Sequence, residues 1–466
     1  MDNSYYKNYF SDTMIQNQIN FLFASFIFLF SLKYDFFQIR FLILVLLIPC
    51  GINIIKDCIN KNFKNLVLLS SFFIMIATHS FINIYYENTG FTSYNLFGIF
   101  FITFVFVISL FYYENFNKNI FKIIKLFLII FFISVLLSLI NFKNDAPFFC
   151  GGIPDIFGFL KSYETYLPDG TLKDLAILGS DRIGDMKFSF KEYLFPENSH
   201  LGMIAPSIII YLIYLNFTKE SNFLTKFLTI FFLIICLIKS STTLLVGTII
   251  SAIILLIFNF RYLTKNTLIA YSGLIIIFTL ILFSSQECRS RFVPIYSPTN
   301  NLENSQDVNN IETAGGIDKK FAINLQKIMQ TSGNLSSGVY FKALSIAKHS
   351  IVEKPFGWGL NRYDKAFEYF IKKHPSKNHS LNSYNNKDGT NNFVKLIVEF
   401  GIFALFVYLF IFFFLISKKI PIELKLFYLP IVITQSLRGA GYFNGGFSLI
   451  IFLMLFTYLN SNIKKL

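Results

Sequence analysis

Long apolar runs dominate this sequence and decide what it can fold into. Runs of roughly 15 to 25 apolar residues recur along the chain, and this length crosses a hydrocarbon core. The chain is 54% hydrophobic and 15% charged, whereas a soluble domain carries roughly 25% charged residues. We therefore expect an all-α fold, that of a polytopic membrane protein.

About twelve transmembrane helices are expected, in three groups separated by two polar stretches. The expected spans are 15–32, 36–55, 66–85, 96–112, 120–140, 201–215, 223–238, 243–258, 268–283, 393–416, 426–437 and 442–459. The polar stretches form two large outer loops. The chain therefore divides into spans one to five (1–141), a first loop (142–198), spans six to nine (199–284), a second loop (285–390) and spans ten to twelve (391–466).

The second outer loop is expected to contain structure of its own. Residues 340–351 predict an amphipathic helix, with Phe341, Leu344, Ile346 and Ile351 as its apolar positions. A turn is expected at 355–359, where proline and two glycines follow the helix.

The basic residues of the short connections predict the orientation in the membrane. Connections after the even-numbered spans are basic, and the connection between the third and fourth spans contains no lysine or arginine. Positive charge collects in short cytoplasmic loops, so both termini are expected in the cytoplasm and both large loops outside. One basic connection, with Lys118, Lys122 and Lys125, is expected to turn the chain between the fourth and fifth spans.

Charge and cysteine content limit the partners. The net charge of +14 does not indicate nucleic acid, because the lysines are scattered between apolar runs and form no single basic face.

Cys150 and Cys288 open the two outer loops. A disulfide between them is allowed in an oxidising compartment, and two unpaired thiols are the simpler interpretation.

Arginine is unevenly distributed across the expected membrane. Only Arg261 falls clearly in an expected cytoplasmic connection, and the others are Arg40, Arg182, Arg289, Arg291, Arg362 and Arg438. The planar guanidinium group binds phosphate and diphosphate groups through paired hydrogen bonds. Arginine on the outer side therefore predicts a lipid-linked phosphate substrate.

The start of the sixth span is the first candidate site. Asn198 or Ser199 is expected to cap this helix, which places Glu197 and His200 at its positive end. A carboxylate and an imidazole near Arg182 make a candidate pair for accepting a proton and binding an anion. The structural alternative is a helix cap with an interfacial histidine.

A second candidate site precedes and enters the tenth span. Lys395 and Glu399 are one helical turn apart and are expected to pair. Charged residues inside a span usually face a protein interior or a water-filled cavity, so a buried structural ion pair is the alternative to a binding role. Lys387 and Asn392 precede the pair as candidate substrate-binding residues.

A third candidate site is the turn between the last two spans. Arg438 and Tyr442 lie there in a sequence with four glycines, and glycine allows close approach of the backbone. This pattern favours a binding site. The alternative is that Arg438 extends to the lipid headgroups.

Taken in order, these segments resemble the Wzy-type O-antigen polymerases and, more distantly, the O-antigen ligases. The resemblance covers residues 180–445 and is carried by Arg182 with Gly184, FPENSHLG at 195–202, EKPFGWG at 353–359, NNF at 391–393, EFG at 399–401 and RGAGYF at 438–443. A ligase is expected to carry a histidine just before the tenth span, where this chain has Thr390, Asn391 and Asn392. This departure favours a polymerase. An arginine often found before the PFGWG turn is also missing, and only Lys342 is near.

The resemblance implies a protein of the bacterial inner membrane with two large periplasmic loops. The implied activity is an inverting, metal-independent glycosyltransferase without cofactor. It would polymerise undecaprenyl-diphosphate-linked oligosaccharide units on the periplasmic face, for O-antigen, capsule or exopolysaccharide. Its partners would be that lipid-linked oligosaccharide and the bilayer, and a chain-length regulator is left open.

The candidate residues then take three roles. The diphosphate would be bound by Arg182, Arg438, Arg289, Arg291 and Arg362. Glu197 or His200 would accept the proton of the attacking hydroxyl. Substrate binding is expected of Asn392, Lys387, Glu399 and Tyr442.

Other classes of function stay open. One is an O-antigen ligase that transfers glycan to the lipid A core. A flippase or transporter would show inverted repeats, broken helices and charges near the membrane midplane, and the halves of this sequence show no similarity. A glycosyltransferase with another donor and an envelope scaffold without chemistry are further alternatives.

Overall fold

The computed structural model describes residues 12–29, 33–34, 37–38, 63–87, 93–140, 165–166, 172–173, 195, 198–218, 222–238, 241–284, 335–373, 385–387, 389–439, 441 and 446–463. This part of the chain is predominantly helical. Its helices are α1 Asp12–Ile27, α2 Phe63–Glu87, α3 Ser93–Ile140, α4 Asn198–Thr218, α5 Phe223–Ile238, α6 Thr242–Asn259, α7 Lys265–Ser284, α8 Leu335–Glu353, α9 Tyr363–Lys373, α10 Asn392–Phe400, α11 Phe403–Ile416, α12 Ile422–Leu437 and α13 Phe447–Ile463. A 3₁₀ turn, Phe260–Tyr262, follows α6. Two antiparallel pairs of short strands are β1 Lys33–Tyr34 with β2 Phe37–Gln38, and β3 Thr165–Tyr166 with β4 Leu172–Lys173.

Several of the described helices suit a membrane by their length and composition. Four are long and apolar enough to cross it: Leu96–Leu136, Ser199–Thr218, Thr242–Tyr262 and Lys265–Ser284. Shorter apolar helices are Val67–Phe81, Phe223–Leu237, Phe403–Ile416 and Phe447–Ser461. The predicted helical fold is thus confirmed, and its apolar helices are compatible with a multi-pass membrane protein. The count of twelve spans and the side on which the loops lie stay predictions.

Helix α4 is the centre of the described bundle. It packs against α12 and α6 and is buried at every position from 201 to 215. A helix that is apolar all round is expected in the interior. The Ser207 hydroxyl on α4 donates to the carbonyl of Phe427, and the Tyr271 hydroxyl of α7 donates to the carbonyl of Ile210 over 2.8 Å. These hydrogen bonds give the buried hydroxyl groups partners.

Helix α3 replaces a turn that the sequence led us to expect. It is helical without interruption for 48 residues, so the predicted turn between the fourth and fifth spans is wrong. Residues 113–119 contain no glycine or proline, and polar side chains there bond to α13. Asn117 donates to Thr457 Oγ1 over 2.8 Å, and Asn460 donates to Glu114 over 3.0 Å. The helix continues because these side chains find partners within the bundle.

Helix α3 is also bent. A straight helix would place residues 101 and 127 about 39 Å apart, at about 1.5 Å per residue. Phe26 stacks on Phe101 with ring centroids 5.8 Å apart, while the ring centroid of Phe28 lies 4.8 Å from that of Phe127. Phe26 and Phe28 are only two residues apart, so their side chains cannot both contact a straight helix at positions about 39 Å apart. Helix α3 therefore curves around the end of α1.

The tenth expected span, 393–416, is broken into α10 and α11. Gly401 separates them with a φ of 55°, in the left-handed region that favours glycine. A β-carbon on Gly401 would lie 2.0 Å from the carbonyl oxygen of Pro355. The turn at 355–359 therefore packs directly against the backbone at the break between α10 and α11.

The second loop contains two described helices, and the sequence located the first of them. Helix α8 confirms the helix expected at 340–351, and the chain turns at 355–359 as expected. Ile351, an expected apolar position, is 41% exposed, whereas Lys342 is 1% exposed. The buried face of α8 is therefore rotated from the one we expected. Amphipathic helices were expected in this loop, but the position of helix α9 was not predicted; it packs on α8.

Candidate functional site

The starts of α4 and α6 meet near the last turns of α12. Gly202 on α4 packs so closely on α6 that a β-carbon there would lie 2.7 Å from Ser241 Oγ. Further along α6, a β-carbon on Gly247 would lie 2.6 Å from the Thr434 side chain of α12. His200, in the first turn of α4, is half-buried. This candidate for proton transfer therefore lies where α4, α6 and α12 converge.

The start of α10 joins the same region. Asn392 is fully buried, and its amide donates to Gln435 Oε1 of α12 over 3.5 Å. The backbone N–H of Gly439 donates to the carbonyl of Thr390 over 3.2 Å. A β-carbon on Gly439 would lie 2.6 Å from Asn392 Oδ1. The backbone after Arg438 is therefore fixed beside residues 390–392, and the Arg438 side chain is half-buried.

The helix N-termini in this region favour an anion. Asn391 caps α10, because its Oδ1 accepts the N–H of Val394 over 2.8 Å. Ser241 caps α6, where its hydroxyl accepts the N–H of Leu244 over 3.2 Å. Each helix N-terminus carries roughly half a positive charge. The starts of α4 and α6, which lie together, and the start of α10 beside the turn of Arg438 each offer a partial positive charge that suits phosphate groups.

The turn at 355–359 is fastened to the end of α10 by its backbone. Three N–H groups donate across this contact over 2.8–2.9 Å: Trp358 to Val398, Gly359 to Glu399, and Ile402 to Pro355. Gly357 has a φ of 88°, and a β-carbon there would lie 2.2 Å from the carbonyl oxygen of Glu399. Backbone therefore packs directly against backbone, which requires the glycine at this position.

The Glu399 carboxylate holds the next turn of the chain. Its Oε2 accepts the N–H of Asn361 over 2.6 Å, and its Oε1 accepts the N–H of Tyr363 over 3.2 Å. Arg362 lies between these two donors and is 4% exposed. The predicted pair with Lys395 is confirmed, because its Nζ lies 3.8 Å from Glu399 Oε1 with both side chains buried.

Lys395 also connects α10 to the segment that precedes it. Its Nζ donates to the carbonyl of Lys387 over 2.6 Å, while Lys387 itself is exposed. A β-carbon on Gly389 would lie 3.1 Å from the β-carbon of Lys395 and 3.3 Å from the Tyr363 ring. Residues 389–391 therefore lie between the turn that carries Arg362 and the turn that carries Arg438.

Lys342 does not replace the arginine that the resembled family often has before the PFGWG turn. Its ammonium lies 4.1 Å from the centroid of the Phe367 ring, between α8 and α9. Burial lowers the pKa of Lys342 to about 7. A lysine enclosed in this way packs the two helices together.

The structure therefore links four candidate residues through residues 389–391: Arg362, Asn392, Glu399 and Arg438. A fifth, His200, lies in the first turn of α4, next to the start of α6. Lys387 precedes residues 389–391 and is exposed. Other candidates lie outside the described residues: Arg182, Glu197, Arg289, Arg291, Tyr442, Cys150 and Cys288. Their roles stay predictions. Within the described part of the chain, no group of three or more histidine, cysteine or acidic side chains is placed to hold a metal ion.

Sequence reasoning missed residues that shape the site. Asn361 has a φ of 61°, and asparagine is one of the few residues enriched in that region. Asn391 is the cap of α10, and asparagine is a preferred N-cap, so this role was open to prediction. Gly357 and Gly401 belong to quoted motifs, but their close contact joins segments that are distant in sequence.

Comparisons with known proteins add no relative. No protein-family model, no curated protein and no solved structure matches this chain. A functional conclusion therefore depends on the residues and their geometry. Together they offer guanidinium groups and helix N-termini for an anion, and an imidazole for a proton.

Proposed function

We propose that this protein is a membrane glycosyltransferase that polymerises undecaprenyl-diphosphate-linked oligosaccharide units. One observation carries the proposal: residues 389–391, which lead into the N-terminus of α10, lie between the turns that carry Arg362 and Arg438. Guanidinium groups and helix N-termini are both ligands for phosphate. A diphosphate attached to a lipid would reach them at the end of a helix bundle of this kind.

In the proposed reaction, a sugar hydroxyl of one lipid-linked unit attacks the anomeric carbon of another. The bond from that carbon to the diphosphate oxygen breaks, and undecaprenyl diphosphate leaves. Arg362 and Arg438, with Arg182, Arg289 and Arg291 as further predicted ligands, stabilise the charge of the leaving diphosphate. Glu197 or His200 accepts the proton of the attacking hydroxyl. A single displacement inverts the configuration at the anomeric carbon.

The proposed setting is a bacterial inner membrane. Twelve spans would place both termini in the cytoplasm and both large loops, with the site, on the periplasmic face. The product would be an O-antigen, a capsule or an exopolysaccharide. The lipid-linked oligosaccharide is the substrate, and a chain-length regulator is a candidate partner.

The proposal is tested with purified protein in liposomes that contain undecaprenyl-diphosphate-linked oligosaccharide. Wild-type protein is expected to form a ladder of lengthened chains. Arg438→Lys and Arg182→Lys are expected to lose the ladder at wild-type protein level, because lysine cannot supply the paired hydrogen bonds of a guanidinium group. Arg261→Lys is the matched control, since Arg261 is exposed in the 3₁₀ turn after α6. Full activity of both Arg438→Lys and Arg182→Lys would remove the proposal.

One observation favours a second candidate function, a flippase or transporter. Helix α10 is separated from α11 at Gly401, and a buried Lys395–Glu399 pair lies just before the break. Broken helices with charged residues are typical of transport sites. Movement of labelled lipid-linked oligosaccharide across the liposome membrane, without any lengthening, would decide for this alternative. Addition of lipid A core to the same liposomes would reveal a ligase by transfer of glycan to that acceptor.

A further inference from the structure

Glu399 is a buried carboxylate whose contacts go to the backbone on both sides of an arginine. The side chain is fully buried, and its two oxygens accept the N–H groups of Asn361 and Tyr363 over 2.6 and 3.2 Å. Arg362 is the residue between these donors. A carboxylate that holds both neighbours of Arg362 fixes the direction in which the Arg362 side chain leaves the backbone.

The turn at residues 361–363 has a backbone conformation that needs support from its surroundings. Asn361 has a φ of 61°, and a non-glycine residue in the left-handed region persists where the surrounding structure determines its conformation. The two carboxylate oxygens accept one N–H group each. Replacing the carboxylate by an amide removes one of these acceptors and is therefore expected to release the turn.

Lys395 connects Glu399 to the segment that precedes α10. Its ammonium lies 3.8 Å from Glu399 Oε1 and donates to the carbonyl of Lys387 over 2.6 Å. The Lys395–Glu399 pair therefore joins the turn of Arg362 to the chain that enters residues 389–391. The backbone after Arg438 bonds to that same segment at Thr390.

We propose that Glu399 is a positioning residue that acts through Arg362. It fixes residues 361–363 so that the Arg362 guanidinium group faces the diphosphate, and it does not itself contact substrate. The ligand in this statement rests on the proposed function. A guanidinium group binds phosphate through directed, paired hydrogen bonds, and a misplacement of about 1 Å in a reacting site can reduce the rate by about a hundredfold.

A double-mutant cycle tests whether Glu399 acts through Arg362. The variants are Glu399→Gln, Arg362→Lys and the two combined, in full-length protein assayed for polymer formation. We expect Glu399→Gln alone to lower kcat/KM for the lipid-linked donor about 10- to 100-fold. In the Arg362→Lys protein it should lower kcat/KM by less than about twofold further, because residues that act as a unit are not additive. Multiplicative losses would overturn the proposal.

The matched control is another glutamate that pairs with a lysine. Glu368 lies 3.1 Å from Lys365, with side chains 56% and 41% exposed. Exposed ion pairs of this kind contribute little, so Glu368→Gln is expected to leave kcat/KM unchanged. Where Glu399→Gln fails to fold, as judged by size-exclusion chromatography, Glu399→Asp retains both carboxylate oxygens with a shorter reach and should show a smaller effect in the same direction.

A second measurement does not depend on the reaction. Phenylglyoxal modifies accessible arginines, and mass spectrometry reports each modified site. Arg362 is expected to be protected in wild-type protein and to be labelled several-fold more in Glu399→Gln, while labelling of the exposed Arg261 stays constant. Unchanged labelling of Arg362 in folded Glu399→Gln would overturn the positioning role. Wild-type protein that makes no polymer would remove the proposed function, and the labelling would still decide whether Glu399 holds Arg362.

Discussion

Substitution of Gly401 by alanine is expected to separate the turn at 355–359 from the end of α10. The added β-carbon would lie 2.0 Å from the Pro355 carbonyl oxygen and 2.7 Å from the Gly357 nitrogen. Both are backbone atoms, so no side-chain rotation relieves the overlap. Moving the oxygen out to 3.0 Å, the limit for real β-carbon contacts, requires a shift of about 1.0 Å.

The expected loss of stability follows from two contributions. A residue other than glycine at this φ adds backbone strain of about 1–3 kcal/mol. The shift also breaks the hydrogen bond from the Ile402 N–H to the Pro355 carbonyl, 2.8 Å long, which contributes about 0.5–1.5 kcal/mol. We therefore expect Gly401→Ala to destabilise the folded protein by about 2–4 kcal/mol.

Thermal unfolding of purified protein in detergent measures this loss. Gly273→Ala is the matched control, because nothing lies within 4 Å of a β-carbon added there, inside helix α7. Alanine is the better helix former by about 0.8–1 kcal/mol, so the control is expected to keep or raise the wild-type Tm. Equal Tm values for Gly401→Ala and Gly273→Ala would refute the packing argument.

Two further predictions concern the region of the site and helix α8. Gly439→Ala places a β-carbon 2.6 Å from Asn392 Oδ1 and should displace Arg438, lowering polymer formation at least about tenfold; wild-type polymer ladders would contradict this. Burial lowers the pKa of Lys342 from 10.5 to about 7. Between these two pH values the lysine is protonated in the unfolded chain and largely neutral in the folded protein, so the unfolded chain binds more protons. The contribution of Lys342 to stability therefore rises as the pH rises from 7 toward 10.5. Lys342→Met should therefore flatten the dependence of Tm on pH over that interval, and an unchanged slope would show that Lys342 is not buried as the structure shows.

The helices of this protein were largely predictable from local sequence. The apolar runs at 201–215, 223–238, 243–258 and 268–283 each lie within one described helix, because hydrophobic length is a local property. The turn predicted at residues 113–119 was wrong because the contacts that keep these residues helical are not local. Their polar side chains suggested a cytoplasmic turn, but Asn117 finds Thr457, which lies 340 residues away in sequence. A partner so distant leaves no local signal.

The candidate site was predictable in its residue types but not in its arrangement. One helical turn between Lys395 and Glu399 predicted their pairing, which the structure confirms. The bonds from Glu399 to the backbone at Asn361 and Tyr363 were not predictable, because they depend on how a loop segment folds against α10. The break at Gly401 is partly local, because a glycine with a positive φ commonly follows the end of a helix. Its contact with the turn at 355–359 joins distant segments and was not predictable.

The most direct test of the account is to count the undecaprenyl diphosphate released for each glycosidic bond formed. Purified protein in liposomes with the lipid-linked oligosaccharide is assayed in the presence of EDTA, and both products are measured by mass spectrometry. We predict one diphosphate released per bond in wild-type protein, a fall of both products by the same factor in Arg362→Lys, and loss of both products in Arg438→Lys. Bond formation at the wild-type rate in both variants, or lengthening without diphosphate release, would contradict the claim that these guanidinium groups hold the leaving diphosphate.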